Sequence, residues 1–237
     1  MSTDERSAAG VAAHGEARLA GFVYAVNIAT GVFSLAYAPA QIFAGETDAE
    51  IVRSIAAKET LLRLLIAAEL VCYVAFLVLP LALRRLLART GPWAATLMTA
   101  LAVSSVPFGF ANVAHLFELL RIVDGGAAEA AQSSIVAVLD RYESGLFVQS
   151  IPWGLWLIPF GYLVFRCGFL PRILGLLLIL RAAGYLAHFF GQLLFKGYEA
   201  SGLERIFMAP GMAEILICLW LLLLGARRFP LPKWRRT

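Results

Sequence analysis

The chain has 237 residues, of which 60% are hydrophobic and 15% charged, with a formal net charge of +4 and a mean hydropathy of +0.78. Soluble domains carry roughly 25% charged residues, so this composition excludes an ordinary water-soluble fold. The positive balance does not indicate nucleic acid either, because the basic residues sit at the ends of apolar blocks, where they orient membrane helices.

Residues 1–18 are polar and Ala/Gly-rich and read as a flexible cytoplasmic N-terminus. Six apolar blocks of about spanning length follow: Leu19–Ala38, Leu61–Leu83, Trp93–Phe117, Leu146–Phe165, Ile173–Phe195 and Ile206–Gly225. The first ends in Ala36-Tyr37-Ala38, a cleavage-like triplet, but its apolar run is longer than a signal-peptide core and holds Asn27 and Thr30, so it reads as an uncleaved span. After it, Thr47-x-x-Glu50 is a capping box, with Thr hydroxyl and Glu carboxylate satisfying free N–H groups at a helix start. Ile51, Val52, Ile55 and Ala56 repeat behind it at helical spacing, which predicts an outer helix lying on the membrane and running into span two.

Gly91-Pro92 closes a short inner turn and Trp93 opens span three at headgroup level. Ala127–Tyr142 predicts a separate outer helix before span four. Pro152, Pro159, Trp153 and Trp156 predict a kinked span four, which either lines a cavity or combines interfacial aromatics with a packing kink. The turn Arg166–Arg172 uses Gly168 for backbone freedom and places Pro171 in the first turn of span five. The tail 227–237 is basic and reads as an anchor to anionic headgroups, with Trp234 at the interface.

With the N-terminus inside, the inner side receives twelve of the twenty Lys and Arg residues. The expected architecture is therefore an all-α polytopic membrane bundle of six transmembrane helices, both termini inside, with residues 19–226 as one membrane domain. Spans one and five open alike, Arg18-Leu19-Ala20-Gly21 and Arg172-Ile173-Leu174-Gly175. The helices after them carry Ala68-Glu69-Leu70 and Ala213-Glu214-Ile215. This pattern reads as a hairpin pseudo-repeat of spans one–two with five–six. Cys72, Cys167 and Cys218 supply no disulfide framework and read as small apolar side chains.

The run Gly161–Gly175, GYLVFRCGFLPRILG, resembles the signature turn of a bacterial family of six-span membrane proteins described only as domain of unknown function 4386. Ala17-Arg18-Leu19-Ala20-Gly21 and the acids Glu69 and Glu214 are similar to that family too, over about Ala17 to Gly225. Where family members often have a histidine within span four, this chain has Trp156. The resemblance implies an integral inner-membrane protein and assigns no activity.

The polar residues inside the spans are the candidate site. Arg181, His188 and Gln192 fall along one line of span five. Arg181 lies ~13 Å from its inner end at 1.5 Å per residue, and Glu69 and Glu214 fall at a matching depth in spans two and six. An isolated charge there costs at least ~2.5–3.5 kcal/mol on insertion scales, so Arg181 is expected to pair with one or both acids. A buried structural ion pair is one reading of this layer; a polar site for a cation, a proton or a headgroup is the other. His188 and Gln192, with Asn112 and His115 of span three, form an outer layer, and function is expected there. His115, His188, Glu69 and Glu214 have the ligand chemistry of zinc, as in intramembrane hydrolases, although no H-E-x-x-H spacing accompanies them. Ser104 and Ser105 read as local carbonyl partners rather than nucleophiles.

These residues predict a polar intramembrane pocket facing the outer leaflet of the bacterial cytoplasmic membrane, holding a small molecule, ion or lipid headgroup, or serving a membrane partner. The alternatives are a membrane-embedded lipid hydrolase, with or without zinc, and a small transporter.

Overall fold

The computed structural model describes residues 3–125, 131–196, 198 and 212–226. Over these residues the chain forms helices and connecting turns, without strands. They are α1 (Thr3–Val32), a π turn (Phe33–Tyr37), α2 (Ala38–Ile42), α3 (Asp48–Ala57), α4 (Glu59–Leu87), α5 (Pro92–Asp124), α6 (Gln132–Leu155), α7 (Leu157–Cys167), α8 (Arg172–Leu194) and α9 (Met212–Leu223). Five stretches are long and apolar enough to cross a membrane: His14–Ile42, Glu59–Leu87, Pro92–Asp124, Gln132–Cys167 and Arg172–Leu194. A shorter apolar helix, Met212–Leu223, stands where the sixth span was expected. Residues 206–211 of that span, the basic tail and Trp234 lie outside the described residues.

Local chemistry sets the element boundaries. Pro92 occupies the first turn of α5, where its missing N–H costs nothing. Gly168 ends α7 at φ 79°, a left-handed conformation that glycine adopts without a Cβ penalty. Pro171 is the N-cap of α8, one position before the expected first turn. The π turn precedes Pro39, whose ring would press on the carbonyl four residues back in a regular α-helix; widening the turn relieves that clash. The capping box forms as expected, with the Glu50 amide donating to Thr47 Oγ1 at 3.4 Å and the Thr47 amide donating to Glu50 Oε2 at 3.3 Å.

Three expectations change. Residues 3–18 continue the first helix instead of forming a separate polar segment. The outer helix expected within Ala127–Tyr142 is not separate over its described part: Gln132 onward runs unbroken into the span as α6, because no glycine or proline interrupts the chain before Pro152 except the tightly packed Gly145. The apolar face of α3 packs on α2, α4 and α6, burying Val52 and Ile55 against protein.

The helices close into a ring. α1 packs on α4, α4 on α5, α5 on α6 and α7, both of these on α8, α8 on α9, and α9 back on α1. α4 and α8 thus stand on different sides of the ring. Close approach depends on small residues: a Cβ added at Gly161 would lie 2.6 Å from the Gly175 carbonyl oxygen across the α7–α8 contact. On α4, Leu62, Leu65, Leu79, Leu83 and Leu87 face the interior, while Leu64, Val71, Val74, Val78 and Leu81 are exposed along the opposite face. Large exposed apolar faces of this kind have a hydrocarbon solvent, not water, as their natural surroundings.

Candidate functional site

Glu69 lies on the interior stripe of α4 and is 1% exposed. Tyr73, one turn further on the same face, donates to Glu69 Oε1 at 3.2 Å, and Tyr142 from α6 donates to Oε2 at 3.0 Å. Tyr73 also sits 3.2 Å from Gln149 Oε1, and Gln149 Nε2 reaches the Ser105 carbonyl at 3.4 Å. The ring of Tyr73 occupies the space a side chain at Gly109 would take. Asn112 is held in a similar way: its Nδ2 donates to the Tyr142 carbonyl at 3.0 Å, and it fills the notch left by Gly145. Asn112 therefore orients the backbone at the tyrosine that caps Glu69.

Across the ring, Arg181 on α8 donates to the Tyr185 hydroxyl at 3.1 Å, and its guanidinium carbon lies 4.4 Å from the centroid of that ring. On α9, Glu214 accepts from Tyr24 of α1 at 2.9 Å, and the Arg181 charge acts on its carboxylate. Arg181 and Glu69, expected as a pair, do not pair: their helices stand apart in the ring, and Glu69 is answered by hydroxyls.

Glu69, Arg181 and Glu214 all line one cavity of about 250 Å³. Asn27, Cys72, Tyr73, Phe76, Trp153, Trp156 and Tyr185 complete most of its wall. Trp156 stands at the break between α6 and α7, which Pro152 and Pro159 flank, so the kink turns two indoles inward. Trp156 is fixed by an edge contact with Phe76 at 5.3 Å and by stacking on Phe160 at 5.2 Å. Asn27 Nδ2 donates to the Cys72 carbonyl at 3.1 Å, which sets the α1–α4 wall.

The outer-layer residues lie elsewhere. His188 sits among aromatic rings, 6.3 Å from Phe147 and 5.8 Å from Tyr198. Gln192 is one turn beyond it and is also outside the cavity lining. His115 lies with Asn112 and Gln149 along a second recess between α5 and α6, and its Nδ1 is 4.0 Å from Glu118. The proposed zinc set His115, His188, Glu69 and Glu214 is not assembled: among the described residues no three His, Cys, Asp or Glu side chains gather to hold an ion. Ser104 and Ser105 donate to the carbonyls of Leu101 and Ala102 at 2.9 and 2.7 Å. The three thiols are free, and they donate to backbone carbonyls of Asn27, Val164 and Gly21.

Sequence reasoning missed the tyrosines. Two of them were within reach, because Glu69–Tyr73 and Arg181–Tyr185 each have the four-residue spacing that places side chains on one helical face. Tyr142 and Tyr24 reach their acids from other helices, and no local spacing marks them.

No solved structure matches the chain. A protein of Archaeoglobus fulgidus described as an uncharacterized protein is 30% identical over 116 residues, 49% of this chain and 67% of its own length. The family model described as "Domain of unknown function (DUF4386)" matches residues 19–225, which include every wall of the cavity. The chain belongs to the DUF4386 family of membrane proteins.

Proposed function

We propose that this is a membrane-embedded binding protein that holds a small polar or amphiphilic molecule in the cavity between α1, α4, α8 and α9. It would sit in the cytoplasmic membrane with both termini inside. The observation that carries this reading is the convergence of Glu69, Arg181 and Glu214, from three helices, on one cavity. Intramembrane ionisable residues are expensive and face interiors or binding pathways. A purely structural ion pair would bring its partners into direct contact, whereas Glu69 and Arg181 line the same cavity with Glu69 bonded to Tyr73 and Tyr142 instead.

A cavity of about 250 Å³ falls just below the 300–1,000 Å³ range of ordinary ligand pockets, so it suits a headgroup-sized ligand. Part of its rim, Val32, Leu35 and Ile215, is exposed on the apolar flank of the bundle, which favours entry from the bilayer.

Native mass spectrometry of the protein released from its own membrane tests this. Gly31 lines the cavity, and a Cβ there meets Cys72 Sγ at 3.3 Å, so Gly31→Phe fills the space. The unmodified protein is expected to retain a small bound species that Gly31→Phe loses. Identical adduct patterns in the two proteins would remove the reading.

A further inference from the structure

The two walls of the cavity are unequally satisfied, and this constrains any ligand that binds there. The Arg181 wall is answered by the Tyr185 hydroxyl and ring and by the charge of Glu214. The Glu69 wall offers that carboxylate only neutral hydroxyls among the described residues. A carboxylate has about four lone-pair sites. Tyr142 fills one, and the single hydroxyl proton of Tyr73 is contested between Glu69 and Gln149, each 3.2 Å away. Among the described residues Glu69 therefore has at most two donors for its lone-pair sites. Among the described lining residues there are two acids, Glu69 and Glu214, and one base, Arg181.

The missing partner is a cation that donates hydrogen bonds, and the rest of the wall says which kind. A bare metal ion calls for several ligating side chains, and no such group forms among the described residues. The remaining wall is carbon-rich and aromatic, with Tyr73, Phe76, Trp153, Trp156 and Tyr185. Aromatic rings stabilise organic cations, most strongly where water is excluded. The apolar rim at Val32, Leu35 and Ile215 gives an attached alkyl chain a path into the bilayer.

Resting on the binding reading above, we infer that the cavity receives an N–H-bearing alkylammonium group, whose nitrogen donates to the Glu69 carboxylate amid these aromatic side chains. The same group is carried by a free short amine and by a lipid with an amino headgroup.

The test titrates the full chain in dodecyl maltoside at pH 7 with radiolabelled decylammonium, with propylammonium and decanol as competitors. Saturable decylammonium binding is expected, with decanol competing at least about tenfold less well, since a charge-assisted hydrogen bond is worth ~1.5–3 kcal/mol. Displacement by propylammonium identifies a free amine as the source; displacement by long-chain amines alone identifies an amino lipid. Glu69→Gln preserves shape and is expected to weaken binding about tenfold or more with a melting temperature lowered by no more than about 4 °C. Trp153→Leu, on the half-buried part of the wall, is expected to weaken it about threefold and carries the test if Glu69→Gln does not fold. Equal affinity for decylammonium and decanol, or unchanged ammonium affinity in the variant used, overturns the ammonium assignment while leaving a binding cavity. Failure of both probes to bind saturably overturns the cavity reading itself.

Discussion

At the scale of single residues, the cost of a buried acid is met here by tyrosine hydroxyls. Removing Glu69 should hurt chiefly through the partners it leaves behind. Glu69→Ala strips the buried Tyr142 hydroxyl of its acceptor and is expected to destabilise the protein by ~1–3 kcal/mol, while Glu69→Gln keeps an acceptor and costs under ~1 kcal/mol. Thermal unfolding in detergent reads the difference, and equal losses would contradict the network. Gly109 offers an indirect route to the same carboxylate. In a helix, alanine is favoured over glycine by about 1 kcal/mol, yet a methyl at Gly109 collides with the Tyr73 ring. Gly109→Ala is therefore expected to be net destabilising by ~1–3 kcal/mol, and Tyr73→Ala in the same chain should remove most of the clash penalty.

At the scale of elements, the chain shows where local rules suffice. The capping box at Thr47–Glu50 was legible because it needs only its own four residues. The Glu50 carboxylate is held below the usual carboxylate range, first by the Glu46 amide, then by that of Thr47. A depressed folded value means the contribution is full above the unfolded carboxylate range and is lost as pH falls through the lower folded value. The melting temperature of wild type should thus exceed that of Glu50→Ala at pH 7, and the gap should close at acid pH. A gap that persists unchanged would rule out the carboxylate as its source. The α7–α8 contact depends instead on two helices meeting: Gly161→Leu is expected to separate them and to reduce the yield of folded protein sharply, seen as loss of the monodisperse peak in size-exclusion chromatography. The continuity of α6 from Gln132 to Leu155 is not legible in the sequence, because the change from polar to apolar residues along it leaves the backbone helical. Composition marks where the solvent changes, not where the backbone turns.

At the scale of the whole molecule, the ring of helices buries Glu69, Asn112 and Gln149 within an apolar interior and leaves further leucine, valine and phenylalanine side chains exposed on its outer faces. Such a surface predicts that alkaline carbonate washing leaves the protein in the membrane pellet and that detergent is needed to release it; release by carbonate alone would contradict a spanning bundle. The ring also explains why the polar stripe of α8 divides as it does. Arg181 meets the central cavity, whereas His188 and Gln192 lie beyond its lining, with His188 among aromatic side chains.

What the sequence by itself determined is the solvent and the helices. Backbone groups in hydrocarbon must bond internally, so apolar blocks of spanning length dictate helices whatever surrounds them. It also marked Glu69, Arg181 and Glu214, because a charge in such a block stands out by its cost alone. Only the tertiary structure decided their partners. Tyr142 is 73 positions from Glu69, and Tyr24 is 190 from Glu214. Which helix stands beside which is set by the fit of small and large side chains around the ring, and that fit has no periodicity a single chain can display. The same packing separated Glu69 from Arg181 and placed a cavity where the sequence suggested an ion pair.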